Sequence, residues 1–184
     1  MNRPPTPPRR HFLRHGVSLA AAALPALATP ARAALPGARG LTMAHTHTGE
    51  HIDLVYAVRE RYVPESLGLL NRFLRDHYSG AVGVIDPALF DLLHRVQQVL
   101  GSSASFEVIS GYRDAATNSH LRATRGGGVA SKSLHMEGRA IDVRLPGVAL
   151  ADLRDAALSL RAGGVGFYPG QRFVHIDTGR VRHW

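Results

Sequence analysis

The densest chemistry in the chain lies in Ser133-Leu134-His135-Met136-Glu137-Gly138-Arg139-Ala140-Ile141-Asp142, followed, forty residues past His135, by His175 within Phe173-Val174-His175-Ile176-Asp177. Two imidazoles and one carboxylate form a common hydrolytic zinc set, with the fourth position left to water. The chain has no cysteine, so any metal site must use histidine and carboxylate. Asp142 stands between Ile141 and Val143, and His175 between Val174 and Ile176. On a strand the apolar neighbours turn to one face and the polar residue to the other. A carboxylate in an apolar strand is costly unless something compensates it, and a bound cation does so. Gly138 allows the turn that brings the chain back after His135. Spacing alone leaves two readings open: a zinc set, or incidental polar residues in a chain with eleven histidines. His45 and His47 form a second pair, two apart on one strand face. Flanked by threonines on a hairpin, they read as surface residues.

The elements that must position these residues follow from pattern. Leu41 to His47 and His51 to Val58 alternate apolar and polar residues around Thr48-Gly49-Glu50, which predicts a β-hairpin. Pro64 to His77 carries Leu67, Leu70, Phe73 and Leu74 at helical spacing. Asp86 caps a second helix with Pro87 at its first position and Gly101 at its end. The expected apolar face is Leu89, Phe90, Leu93, Val96, Val99 and Leu100. Phe106 to Ile109 is a short strand running into Ser110-Gly111-Tyr112-Arg113. Asp114 caps a helix over 115–123, and 124–132 is a Gly-rich loop. Gly138 to Leu145 is a strand, Ala149 to Arg161 a helix, and two short strands follow at Gly163 to Tyr168 and Arg172 to Asp177. Helices punctuating a small sheet with short connections give the α+β class.

The first 33 residues stand apart. Arg9-Arg10, Phe12-Leu13, an apolar run from Gly16 to Ala28 and Ala31-Arg32-Ala33 form a charged region, a hydrophobic region and a small-residue cleavage site. The run is shorter than the roughly 20 residues a bilayer core requires. The reading is an export signal over 1–33, of twin-arginine type, then a mobile leader over 34–40 and a domain over 41–184. The signal holds five arginines and no acids. Its removal takes 22 basic side chains to 17 against 14 acidic ones, so the formal +8 falls to +3. A nucleic-acid partner thereby loses its main support. The product is expected in the periplasm or otherwise outside the cytoplasm, after cleavage near Ala33, with no stable membrane span and as a monomer.

The stretch Ser133-x-His135-x-x-Gly138-x-Ala140-x-Asp142 resembles the signature of the zinc D-alanyl-D-alanine carboxypeptidase/endopeptidase superfamily (peptidase M15-like). Within it, residues 40–184 look most similar to the murein endopeptidase K group. The matching landmarks are Thr46 to Glu50, Phe106 to Arg113, Ser133 to Asp142, Gly164 to Pro169 and Phe173 to Trp184. The resemblance implies a hedgehog/D-Ala-D-Ala-peptidase-like fold, a small antiparallel sheet carrying the site and flanked by helices. It implies one zinc ion per chain, held by His135, Asp142 and His175. It implies that Arg113 contacts substrate or the developing oxyanion and that Ser133 contacts substrate. It also implies that the substrate is the peptide part of peptidoglycan, cut as a murein endopeptidase cuts cross-links.

One departure bears on mechanism. Many members of the wider family carry an acid or histidine as general base three residues before the last zinc ligand. Here that residue is Arg172, which cannot take up a proton. Asp177, two residues after His175 on the same strand face, is a candidate base or a partner of the ligand, and equally a structural hydrogen-bonding residue. Glu137 reads as an exposed loop acid. The alternative function is therefore a zinc-containing module that binds wall peptides without cutting them.

Overall fold

The computed structural model describes Met1, residues 36–124 and residues 128–184. The expected signal therefore lies outside the described residues, apart from Met1. All the elements below lie within one unit, Arg32–Trp184. They run β1 (Ala38–His45), β2 (His51–Val58), β3 (Arg61–Tyr62), α1 (Pro64–Phe73), α2 (Pro87–Leu100), β4 (Phe106–Ser110), α3 (Ala115–Thr124), β5 (Ala140–Arg144), α4 (Leu150–Ser159), β6 (Gly164–Tyr168), β7 (Phe173–Asp177) and β8 (Arg182–His183). Among the described residues, no helix is long and apolar enough to cross a membrane.

The class is α+β. The sheet is larger than expected and mixed rather than antiparallel, with eight strands in the order β3-β2-β1-β4-β5-β7-β6-β8. The β1/β2 hairpin joins the site-bearing strands because β1 pairs in parallel with β4, with α1 and α2 in the crossover between them. The second parallel pairing adds β8 beside β6. β3 and β8 have two residues each, too short for alternation to reveal them. β1 also starts at Ala38, inside the expected leader. Its first residues pair with Ala57 and Val58, and Gly37 accepts the Arg59 amide, which ties this stretch to the sheet.

One core lies between the sheet and the helices. Leu41, Met43, Phe106, Val108, Ile141, Val143, Val174 and Ile176 come from the strands. Leu70, Phe73, Leu89, Phe90, Leu93 and Leu153 come from α1, α2 and α4. α2 begins and ends as its caps predict: Asp86 accepts the Ala88 amide, and Gly101 is left-handed. Its buried stripe includes Leu92 and leaves Val99 exposed, contrary to expectation. α1 stops at Phe73 instead of His77. The Asp76 carboxylate takes the amides of Tyr78 and Ser79, and this local bonding competes with the helix.

Of the two histidines expected at the surface, His47 lies there and His45 does not. His45 ends β1 and is buried against Phe73 and His77 (ring centroids 5.9 and 5.5 Å), while His47 lies beyond the strand and is exposed. Burial, helped by the neighbouring His47, lowers the pKa of both His45 and His77 to about 4. The unfolded chain protonates both near pH 6.5, so their neutral burial supports the fold fully above that value. That support is lost as pH falls toward 4. Thermal melts should therefore show Tm falling across this window. His77→Phe keeps a ring and removes a buried nitrogen that has no partner. It should flatten the fall, and an equally steep profile in the variant would contradict the assignment.

Candidate metal centre and active-site cleft

Strand register builds the centre. Asp142 on β5 pairs directly with His175 on β7, while Ile141 pairs with Ile176 and Val143 with Val174. The apolar pairs enter the core, which commits Asp142 and His175 to the opposite face. A bulge brings β4 into line. Val108 pairs with Val143, but two residues later Ser110 pairs with Asp142, one residue back. The extra residue turns Ser110 out of phase with the core residues Phe106 and Val108 and onto the face of Asp142.

His135 arrives from the side, on a 3-10 turn at Leu134–Glu137. Gly138 ends that turn with φ 66°. A side chain there would meet the Val84 carbonyl oxygen at 1.9 Å, so both backbone angle and space demand glycine. The carbonyl of Gly111 accepts a hydrogen bond from His135 Nδ1 at 2.7 Å. A carbonyl only accepts, so Nδ1 carries the proton and Nε2 is left to face the site. Gly111 itself packs so closely on Leu74 that a Cβ would lie 2.6 Å from the Leu74 carbonyl oxygen.

The three ligand-capable groups converge. His135 Nε2 lies 3.3 Å from His175 Nδ1 and 3.3 Å from Asp142 Oδ1, and His175 Nδ1 lies 2.8 Å from the same oxygen. Together they could hold a metal ion. Tetrahedral zinc with bonds of about 2.0–2.1 Å places its ligand atoms about 3.3 Å apart, so the donor set fits the ion in type and spacing. All three residues are buried or nearly so. Burial alone would raise the Asp142 pKa. The charge and hydrogen bonds of His135 and His175 reverse this and hold it far below the carboxylate range. Burial alone would lower His175, but its bonds to Asp142 and Asp177 raise it to about 9. The cluster is thus built to hold positive charge.

Asp177 completes it from beneath. His175 Nε2 donates to Asp177 Oδ2 at 3.1 Å, which turns Nδ1 toward Asp142 and His135. The carboxylate also accepts from the Gly164 and Gly179 amides and, on both oxygens, from Arg182. Asp177 is fully buried among these donors. Arg172 lies away from the centre, beside a cavity it shares with Glu107 and Arg144. Glu137 is exposed and pairs with Arg139.

A cleft of about 270 Å³ opens onto the centre. Arg113 and Ser133 line it, as do Lys132, Tyr168, Phe173 and Trp184. Arg113 reaches Ser110 and Asn118 at 3.4 Å each. Trp184 lies 5.3 Å from the His175 ring and donates from Nε1 to the Tyr168 hydroxyl at 2.6 Å. The sequence reading assigned no role to Tyr168, Arg182 or the Gly111 carbonyl. Trp184, the chain's single tryptophan, two residues after the arginine that holds Asp177, was the available signal.

A family model described as peptidoglycan L,D-endopeptidase MepK matches residues 33–184. The chain belongs to this family. It is 50% identical over 171 residues to the peptidoglycan L,D-endopeptidase MepK of Escherichia coli K12, covering 92% of each chain. It is 39% identical over 170 residues to the probable peptidoglycan L,D-endopeptidase MepK of Haemophilus influenzae, covering 92% of this chain and 90% of that one. The family match begins before β1 and takes in every strand and helix of the fold.

Gly111→Ala should push Leu74 and the His135 anchor apart and lower unfolding stability by about 1–3 kcal/mol. Denaturant titration checks this, and an unchanged midpoint would show that the close approach is not needed.

Proposed function

We propose that this protein is an exported zinc metallopeptidase that hydrolyses peptide cross-links of peptidoglycan, with His135, Asp142 and His175 holding one zinc ion. The observation that carries the proposal is the meeting of these three side chains at zinc-like spacing at the base of an open cleft. The names of the relatives, L,D-endopeptidases, support cross-links between two diaminopimelate residues as the substrate. The twin-arginine-type signal over 1–33, its removal near Ala33 and a periplasmic site of action belong to the same proposal, since the wall lies outside the cytoplasm. So does a hedgehog/D-Ala-D-Ala-peptidase-like fold, supported by the antiparallel run β4-β5-β7-β6 that carries the site.

Zinc bound there supplies Lewis acidity toward the scissile carbonyl and a water acidic enough to attack near neutral pH. The chain's own residues do the rest. The Gly111 carbonyl and Asp177 fix which nitrogen each histidine presents. Arg113 brings a permanent positive charge to the cleft, where it stabilises a substrate carboxylate or the oxyanion of the tetrahedral intermediate. Ser133 offers a hydroxyl beside His135 for substrate hydrogen bonding. The ring of Trp184 lies beside His175 and forms part of the cleft wall. Asp177 is a positioning residue in this scheme and not the base. Among the described residues, Asp142 is the one acidic side chain lining the cleft. This lack of a separate base favours the alternative, a wall-peptide binding module. Relatives named as endopeptidases favour catalysis.

Incubation of zinc-loaded protein with isolated peptidoglycan should release muropeptides, and binding without release would establish the alternative. His135→Ala or Asp142→Ala should abolish release and bring zinc to background by elemental analysis; full zinc occupancy in either variant would refute the ligand set. Arg113→Ala should lose about 10²–10³ in kcat with zinc retained, and unchanged turnover would remove its role. Asp177→Asn should weaken zinc binding about 10–100-fold in competition with a chelator, whereas wild-type affinity would leave Asp177 purely structural.

A further inference from the structure

A second cavity, of about 220 Å³, adjoins the cleft and shares Arg113, Asp142, Gln171 and Phe173 with it. Ile109 and Ser110 of β4 and Leu121 of α3 form part of its remaining wall. His47, from the β1–β2 turn, and His77 and Tyr78, from the segment after α1, form an aromatic shelf. His47 and His77 stack at 4.1 Å with 18° between their planes, and Tyr78 leans on His77 at 4.3 Å.

The shelf is held in place by a buried group. Asp76, 1% exposed, accepts the Tyr78 amide on one oxygen and the Asp114 amide on the other. One carboxylate thus fixes the shelf and the residue next to Arg113 together. Thr46 fastens the other side, bonding the Val108 carbonyl and contacting His47 Nδ1. The two cavities also differ in charge. The first carries Lys132 and Arg182 besides Arg113. The second adds no lysine or arginine to Arg113, and burial keeps His77 neutral at physiological pH.

We propose that this second cavity is a substrate subsite that takes the uncharged backbone and aliphatic part of one peptide arm of a cross-link, while the cationic cleft takes the carboxylate-bearing arm. The inference rests on the peptidase reading. A cross-link has two peptide arms leaving the scissile bond in different directions, and two adjoining cavities share Arg113 and Asp142 while their other walls differ. The ring faces of His47, His77 and Tyr78 suit planar amides and methylene groups.

The test uses three synthetic substrates: a two-armed cross-link, and two versions in which one arm or the other is trimmed to the bare diamino acid. Tyr78 and His47 are exposed, so Tyr78→Ala and His47→Ala leave the core intact. On the two-armed substrate each variant should raise KM about tenfold, an effect of about 1.4 kcal/mol, with kcat little changed. On one trimmed substrate variants and wild type should become equal, while on the other the difference should persist. Variants matching wild type on the two-armed substrate, or a loss persisting on both trimmed ones, would overturn the subsite. If the wild type cleaves none of the three, the peptidase reading falls instead. Calorimetric binding of the two-armed cross-link to zinc-loaded protein then decides the subsite: about tenfold weaker binding by Tyr78→Ala supports it, and equal binding overturns it.

Discussion

A carboxylate buried between two imidazoles is the interaction on which the rest of this structure turns. Asp142 has little access to water, and its Oδ1 lies within 3.3 Å of nitrogens from both His135 and His175. An isolated charge in such a place would be costly. Here it is compensated by partners whose own positions are fixed elsewhere, and a divalent ion answers the same electrostatic demand. The β5–β7 register makes this possible, because the pairing that puts Asp142 opposite His175 also puts Ile141 opposite Ile176 in the core. A slip of one residue would bury the site residues and expose the apolar ones. Core packing therefore enforces the geometry of the centre.

Around this pair the fold supplies supports of different kinds. The bulge in β4 turns Ser110 to the site and leads the chain into Gly111, whose carbonyl orients His135. Asp177 orients His175 and is itself held by Arg182 and two backbone amides. Asp76 connects the segment after α1 to the segment that carries Arg113. The Gly111 and Asp76 supports join segments far apart in sequence, whereas Asp177 acts mainly within its own stretch of chain.

What could be read from the sequence was whatever period and caps encode. Ile141-Asp142-Val143 and Val174-His175-Ile176 show their faces by alternation. α2 announces itself through Asp86, Pro87 and Gly101, and Gly138 through the turn it must make. Much of what escaped depends on contacts between distant segments. Ser110 is in phase with Phe106 and Val108 in sequence, and only the bulge takes it out of phase. His45 read as a surface residue because nothing local shows that Phe73 and His77 cover it. α1 read four residues too long because helical spacing continues through Leu74, whereas Asp76 bonds its own following amides. Strand parity gives the face of Asp177 but not the donors that hold it. The parallel pairing of β1 with β4 leaves no local trace at all.

The proposed centre has two imidazoles and one carboxylate holding a single zinc ion with room for solvent. X-ray absorption at the zinc edge of the purified, untagged protein tests it most directly. One zinc per chain is expected, with two imidazole nitrogens at about 2.0–2.1 Å and light oxygen donors completing four-coordination. A spectrum with three or more imidazoles, or a protein that emerges from dialysis without zinc and does not take it up, would contradict it.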